Sequence, residues 1–220
     1  MNQLPAVHRV FAEQPKLPPE AQRKGTAGRL LAAGLALFAR RGYHGTSIRD
    51  LGHELGLPPA ILYDHFVSKE HLLAELVRIG HVAHQRVLFH ALVASPPGPA
   101  AQLESLVRAH VWLHAEYAML AMVATSELHA LSPELAAPSL ALREQSEALL
   151  RDVLGRGVDE GVFDVVHPGF TAAAIGAMGP RVAGGYRHDR GLDAVEIAEV
   201  HAELALRMVG ARGRAPSFTA

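Results

Sequence analysis

Cysteine is absent from all 220 residues. That excludes disulfides, thiolate metal sites and cysteine nucleophiles. No apolar run approaches the ~20 residues that a membrane-spanning helix needs. The N-terminus carries Pro5, His8 and Glu13 without a continuous apolar core, so it does not read as a signal peptide. A cytoplasmic protein with no membrane partner is expected. HExxH, a Ser-centred elbow, a Gly-rich phosphate loop, an internal repeat and strand-rich segments are all missing. No enzyme, catalytic residue, cofactor or bound metal is therefore assigned.

Net charge is nearly absent too, at −1, but it is unevenly spread. Arg9, Lys16, Arg23, Lys24, Arg29, Arg40, Arg41 and Arg49 face only Glu13 and Glu20 within residues 1–49, a local net of +6. The rest of the chain is correspondingly acidic. Such a head suits contact with phosphate at one end of the molecule; chance clustering on a solvated surface is the bland alternative. With 49% apolar residues and 220 in all, the chain has enough to bury a core.

What is there is helix. Residues Glu20 to Arg41 place Leu31, Leu35 and Phe38 on one face, and Gly42 ends the run. The stretch Thr46 to Leu73, TSIRDLGHELGLPPAILYDHFVSKEHLL, organises the remainder. Thr46 or Ser47 supplies an N-cap, and Ile48, Leu51 and Leu55 recur at helical spacing. Gly56 stops that helix, since glycine tolerates the left-handed backbone of a C-terminus. Pro58 and Pro59 then open a second helix with Leu62 and Phe66 inward. Ser68 caps a long helix over Lys69 to Ala94. Two short helices joined by a glycine turn predict a helix-turn-helix, whose second helix enters a DNA major groove.

The pattern resembles the DNA-binding head of the tetracycline-repressor (TetR) family of bacterial regulators. Phe38, Gly42, Thr46, Ile48, Leu51, Leu55, Gly56, Leu57, Leu62, Tyr63, Phe66, Lys69, Glu70 and Leu73 carry the likeness. The run Leu-Tyr-x-x-Phe-x-x-Lys-Glu is its specific part. Gly52 stands where the family usually has Ala, Pro58 where it has Ser or Thr, and Ala60 and Ile61 where Gly and a hydroxyl residue are common. Pro58, Pro59 and Ile61 remove hydroxyls and amides that typically hold phosphates in the family. The resemblance implies an all-α protein of about nine helices. Residues 20–68 form a three-helix DNA-binding head, and 69–210 a helical body for ligand binding and dimerisation. Residues 1–19 read as a flexible arm and 211–220 as a tail.

The family match sets the DNA expectations. Lys69 meets a phosphate at a helix N-terminus. Tyr63 and His65 touch the backbone. Thr46 or Ser47 caps, with Thr46 also bonding a phosphate. Arg49 reads guanine, and Pro59 and Ala60 offer apolar contact. Asp64 accepts from cytosine N4 or pairs with Arg49 or Lys69. In the family, helices 8 and 9 (about Pro168 to Gly184 and from Asp193, with Ile197, Val200, Leu204 and Met208 as its stripe) pair with a second copy. A homodimer then reads a palindromic operator.

For a small-molecule effector, polar groups lie among apolar helices: His84, His110, Trp112, His114, Tyr117, Met122 and His129. Each also fits ordinary core or surface packing. His110 and His114 share a helical face, as a metal pair must, and His81 with His84 would complete a site; with 14 His such spacing also arises by chance. Arg108 to Glu134 and Met178 to Leu206 resemble a TetR branch governing fatty-acid or steroid catabolism in response to acyl-CoA thioesters. The expected function is a repressor released by a small apolar or acyl-CoA-type molecule. The rivals are a metal-responsive regulator using the His cluster, or a helical binding module or hydrolase without a DNA role.

Overall fold

The computed structural model describes residues 14–185 and 191–211. Most of the expected arm and tail lies outside them. Among the described residues the regular structure is helical throughout: nine α-helices and three short 3-10 helices. The chain divides into two compact units. One holds the residues up to His81 together with Met119–Leu140; the other holds Val82–Ala118 and the residues from Ala141 on. The division does not fall at the 68/69 boundary expected from sequence.

In the first unit, α1 (Gly25–Arg41) buries Leu30, Leu31, Leu35, Leu37 and Phe38. It starts at Gly25 rather than Glu20, because Lys24 is extended and Gly25 has φ +70°. A 3-10 turn over Pro19–Ala21 precedes it. Gly34 lets α1 approach α3 (Lys69–Ala94) closely: a Cβ there would lie 2.9 Å from Leu72 Cδ2. α2 (Ile48–Leu55) is short, and its N-terminus is closed by a capping box. The Ser47 hydroxyl accepts from the Asp50 N–H, and the Asp50 carboxylate from the Ser47 N–H. Gly56 ends α2 in the left-handed region, φ +64°. α5 (Ala118–Ser126) packs on α3 where Gly80 lacks the Cβ that would lie 2.7 Å from Ala124. α6 (Pro133–Asp159) starts in this unit.

The second unit is built round α4 (Pro99–Glu116). Leu103, Leu106, Val107 and Val111 pack with Val153 and Leu154 of α6, Ile175 of α7 (Pro168–Gly176) and Val182 of α8 (Met178–Gly185). α9 (Ala194–Met208) adds Ala194, Ala198, Ala202 and Ala205. That alanine row replaces the stripe read from sequence. Ile197 packs at the edge of the core, whereas Leu204 and Met208 are 43% and 45% exposed. Small side chains let α9 lie close on α4, which leaves the large ones outside. The single helix expected over Pro168 to Gly184 is two helices, α7 and α8. Pro180 has no N–H for the Gly176 carbonyl four residues back, so the helical ladder loses a bond at the break.

Candidate functional site

The head turns its second element into a six-residue 3-10 helix, Pro59–Asp64, not the α-helix expected. Pro58 and Pro59 bring no donors. The Ile61 N–H closes back on the Pro58 carbonyl at 3.0 Å, and the His65 N–H on Leu62 at 3.0 Å. Gly52 makes room for this turn. A Cβ on it would sit 2.8 Å from the Leu57 carbonyl oxygen and 3.1 Å from Pro59 Cα. Leu51, Leu62 and Phe66 are buried, and Ser47, Arg49, Pro59, Ala60, Tyr63, Asp64 and His65 are left exposed.

Two residues expected to contact DNA hydrogen-bond to the protein's own backbone. Thr46 is 2% exposed, and its hydroxyl donates to the Gly42 carbonyl at 2.9 Å. Ser47 alone is the cap. The Lys69 ammonium donates to the carbonyls of Tyr43 (2.8 Å) and Thr46 (2.5 Å) and lies 4.0 Å over the Tyr43 ring. Burial pushes its pKa down. It ties the turn after α1 to the start of α3. The ion pair expected of Asp64 is not formed with Arg49 or with Lys69: among the described residues Asp64 has no salt bridge.

Much of the basic charge is also internally matched. Arg40 pairs with Glu54 at 3.2 Å, Arg41 with Asp50 at 3.1 Å, and Arg23 with Glu75. Asp50 is held below the usual carboxylate range by its bonds from Ser47, helped by Arg41. Arg49 stays exposed.

Two carboxylates whose partners the sequence does not signal hold residues 119–140 to the head. Glu127 accepts from the Tyr43 N–H at 3.0 Å, and Glu70 from the Ser132 N–H at 2.7 Å. Both join residues more than sixty apart in sequence, and no periodicity signals them.

The expected effector residues divide between the units. Met122 is buried and His129 exposed in the first. In the second, the Trp112 and Tyr117 rings meet edge to face at 6.2 Å. His84 of α3 meets His110 and His114 of α4 there: His84 Nε2 lies 2.7 Å from His110 Nδ1, and the His110 and His114 rings are 4.5 Å apart. His81 is not among them. Its Nδ1 bonds to the Val77 carbonyl at 2.9 Å, in the first unit. His110 Nε2 lies 3.1 Å from the Gly176 carbonyl oxygen freed at the α7–α8 break, and 3.2 Å from the Gly179 N–H. Burial, then the neighbouring His114 and His84, hold the His110 pKa well below the usual histidine value. Gly176 and Gly179 were not foreseen as partners. Pro180 was the available signal, since a proline frees the carbonyl four residues earlier.

Comparison with known proteins bears on both units. Residues 30–76 match the family described as bacterial regulatory proteins, tetR family, and 96–209 match the tetracyclin repressor-like C-terminal domain. The HTH-type transcriptional repressor KstR2 of Rhodococcus jostii (strain RHA1) is 31% identical over 150 residues, 66% of this chain and 73% of that protein. A crystallised tetR-family regulatory protein from Rhodococcus RHA1 has 30% identity and a TM-score of 0.79, over 87% of this chain and all of that one. AibR, crystallised with isovaleryl coenzyme A and operator DNA, shares the fold with a TM-score of 0.72 at 20% identity, over 81% of this chain and 96% of that one. With a helix-turn-helix head and matches that run through both units, the chain belongs to the TetR family of bacterial DNA-binding transcriptional regulators.

Proposed function

We propose that the protein is a homodimeric repressor that leaves a palindromic operator when a small apolar or acyl-CoA-type effector binds its body. The observation that carries the DNA reading is the face of the helix-turn-helix. Leu51, Leu62 and Phe66 face the core, and Ser47, Arg49, Pro59, Ala60, Tyr63, Asp64 and His65 are left exposed. Arg49 is its base-reading cation, and Tyr63, 58% exposed, its backbone and methyl contact.

Two copies pair through the α7–α8 segment and α9, where Phe170, Val195, Leu204 and Met208 are exposed. Their heads then meet half-sites about 34–36 Å apart. The effector acts through α3, which begins at Lys69 beside the head turn and runs on to Ala94. It must bind the DNA-free state more tightly, since only differential affinity shifts the balance. The acyl-CoA class is supported by the likeness of Arg108 to Glu134 and Met178 to Leu206 to that branch of the family. AibR, which shares the fold, binds such a thioester together with its operator. The protein works in the cytoplasm and catalyses no reaction. No helix of the described residues is long and apolar enough to cross a membrane.

The test is fluorescence anisotropy with the DNA flanking its own gene, at about 50 and 200 mM salt. Tight, salt-sensitive binding is expected, weakened by about 1–3 kcal/mol in Arg49→Ala. Titration with acyl-CoAs and free fatty acids should release it. Equal operator affinity with and without every thioester discards the effector class; absence of sequence-preferring binding discards the repressor.

A further inference from the structure

Three imidazoles converge in the second unit in a way that neither DNA recognition nor an apolar effector requires. We propose that His84, His110 and His114 bind a first-row transition-metal dication of the zinc type, with water completing its coordination. One ring nitrogen from each of the three residues falls within a group whose members lie at most 4.8 Å from one another. A tetrahedral ion with Zn–N bonds of about 2.0–2.1 Å needs its nitrogens about 3.3 Å apart. The His84 Nε2 to His110 Nδ1 separation of 2.7 Å has to open by roughly half an ångström. Rotation of the rings on their side-chain bonds is the movement this asks for.

The outward-facing nitrogens orient the set. His114 Nδ1 lies 2.8 Å from the His110 carbonyl oxygen, which can only accept. The proton therefore sits on Nδ1, and Nε2 keeps its lone pair. His110 Nε2 faces both the Gly176 carbonyl and the Gly179 N–H. A metal on Nδ1 selects the tautomer that donates to Gly176, a backbone support of the kind that usually backs ligating histidines. Gly179 leaves these nitrogens room. A Cβ there would lie 2.5 Å from His110 Nε2 and 2.6 Å from His114 Nδ1. The donor set also names the ion. Three neutral imidazoles, with no carboxylate or thiolate in the group, suit zinc, nickel or copper(II) rather than magnesium, calcium or copper(I). The bland alternative is three packed histidines that hold no ion.

Metal-free, full-length protein titrated with Co(II) distinguishes the two without DNA or effector, so its outcome is independent of the repressor reading. One Co(II) per chain is expected, with the visible d–d bands of a low-coordinate nitrogen site. Changing a backing contact typically weakens binding 10–100-fold, which is the loss expected for Gly179→Ala. His84→Asn and His110→Asn, which remove a ligand, should lose at least about 100-fold. His81→Asn, outside the cluster, should bind as the parent does. Zn(II) should raise the melting temperature of the parent but not of His84→Asn. His84 is only part-buried, so that variant decides the matter if His110→Asn fails to fold. A parent with no d–d bands, or with the same bands as His84→Asn, would overturn the site.

Discussion

Single residues in the head do different work from what their types suggest. Lys69 and Thr46 look like phosphate ligands and also tie the head's own backbone together. Glu70 and Glu127 look like surface acids and hold a distant segment. The amide of Ser132 keeps the Glu70 carboxyl below its ordinary pKa, first through the backbone bond. A carboxyl whose folded pKa is lowered adds stability above its unfolded pKa, about 4.3, and that stability is lost as pH falls through the folded value. Glu70→Gln should therefore cost about 0.5–1 kcal/mol at pH 7, toward the low end of a charge-assisted bond because water reaches the carboxylate. The difference from the parent should shrink on acidification below about pH 4. Urea melts at pH 7 and pH 3 measure both; an equal cost at the two pH values would show that the ionised form is not what matters.

At the scale of elements, the recognition turn and α2 are one fitted object. Gly52 has no Cβ because the Leu57 carbonyl and Pro59 occupy its place. Gly52→Ala gains about 1 kcal/mol of helix propensity. It meets a backbone clash that typically costs about 1–3 kcal/mol. A net loss of about 0–2 kcal/mol is expected, read as a lower urea midpoint at unchanged m-value. An increase in stability would mean that the turn yields freely. The same logic of missing atoms governs α7 and α8. Pro180 withholds a donor, the ladder breaks after Gly176, and the freed carbonyl faces His110. Sequence periodicity reads that stretch as one helix because Ala and Gly carry almost no pattern.

For the whole molecule, the exposed face of α9 is the informative surface. The alanine row is used up against α4, so Leu204 and Met208 have no core partner left within the chain's own helix pair. Leu204→Asp with Met208→Asp should convert the dimer to monomer in sedimentation velocity, with helical circular dichroism kept. Operator affinity should then fall by at least about tenfold, since two tethered heads bind far better than one. A variant that stays dimeric would move the seam away from α9.

The local code was readable in the chain itself. The cap at Thr46 or Ser47, the Gly42 and Gly56 stops, the helical periods, the Leu62 and Phe66 core positions and the TetR likeness all rest on neighbours within a few residues. Capping, glycine conformation and helical spacing are short-range physics. What required the folded chain was anything set by atoms distant in sequence. Packing against α4 selected the alanine face of α9 over the leucine face. The closed turn placed the Lys69 ammonium on the Tyr43 and Thr46 carbonyls. The α3–α4 pairing chose His84, not His81, to join His110 and His114. Each of these choices turns on which helix face another helix covers, and helical periodicity leaves that undetermined when more than one face is apolar.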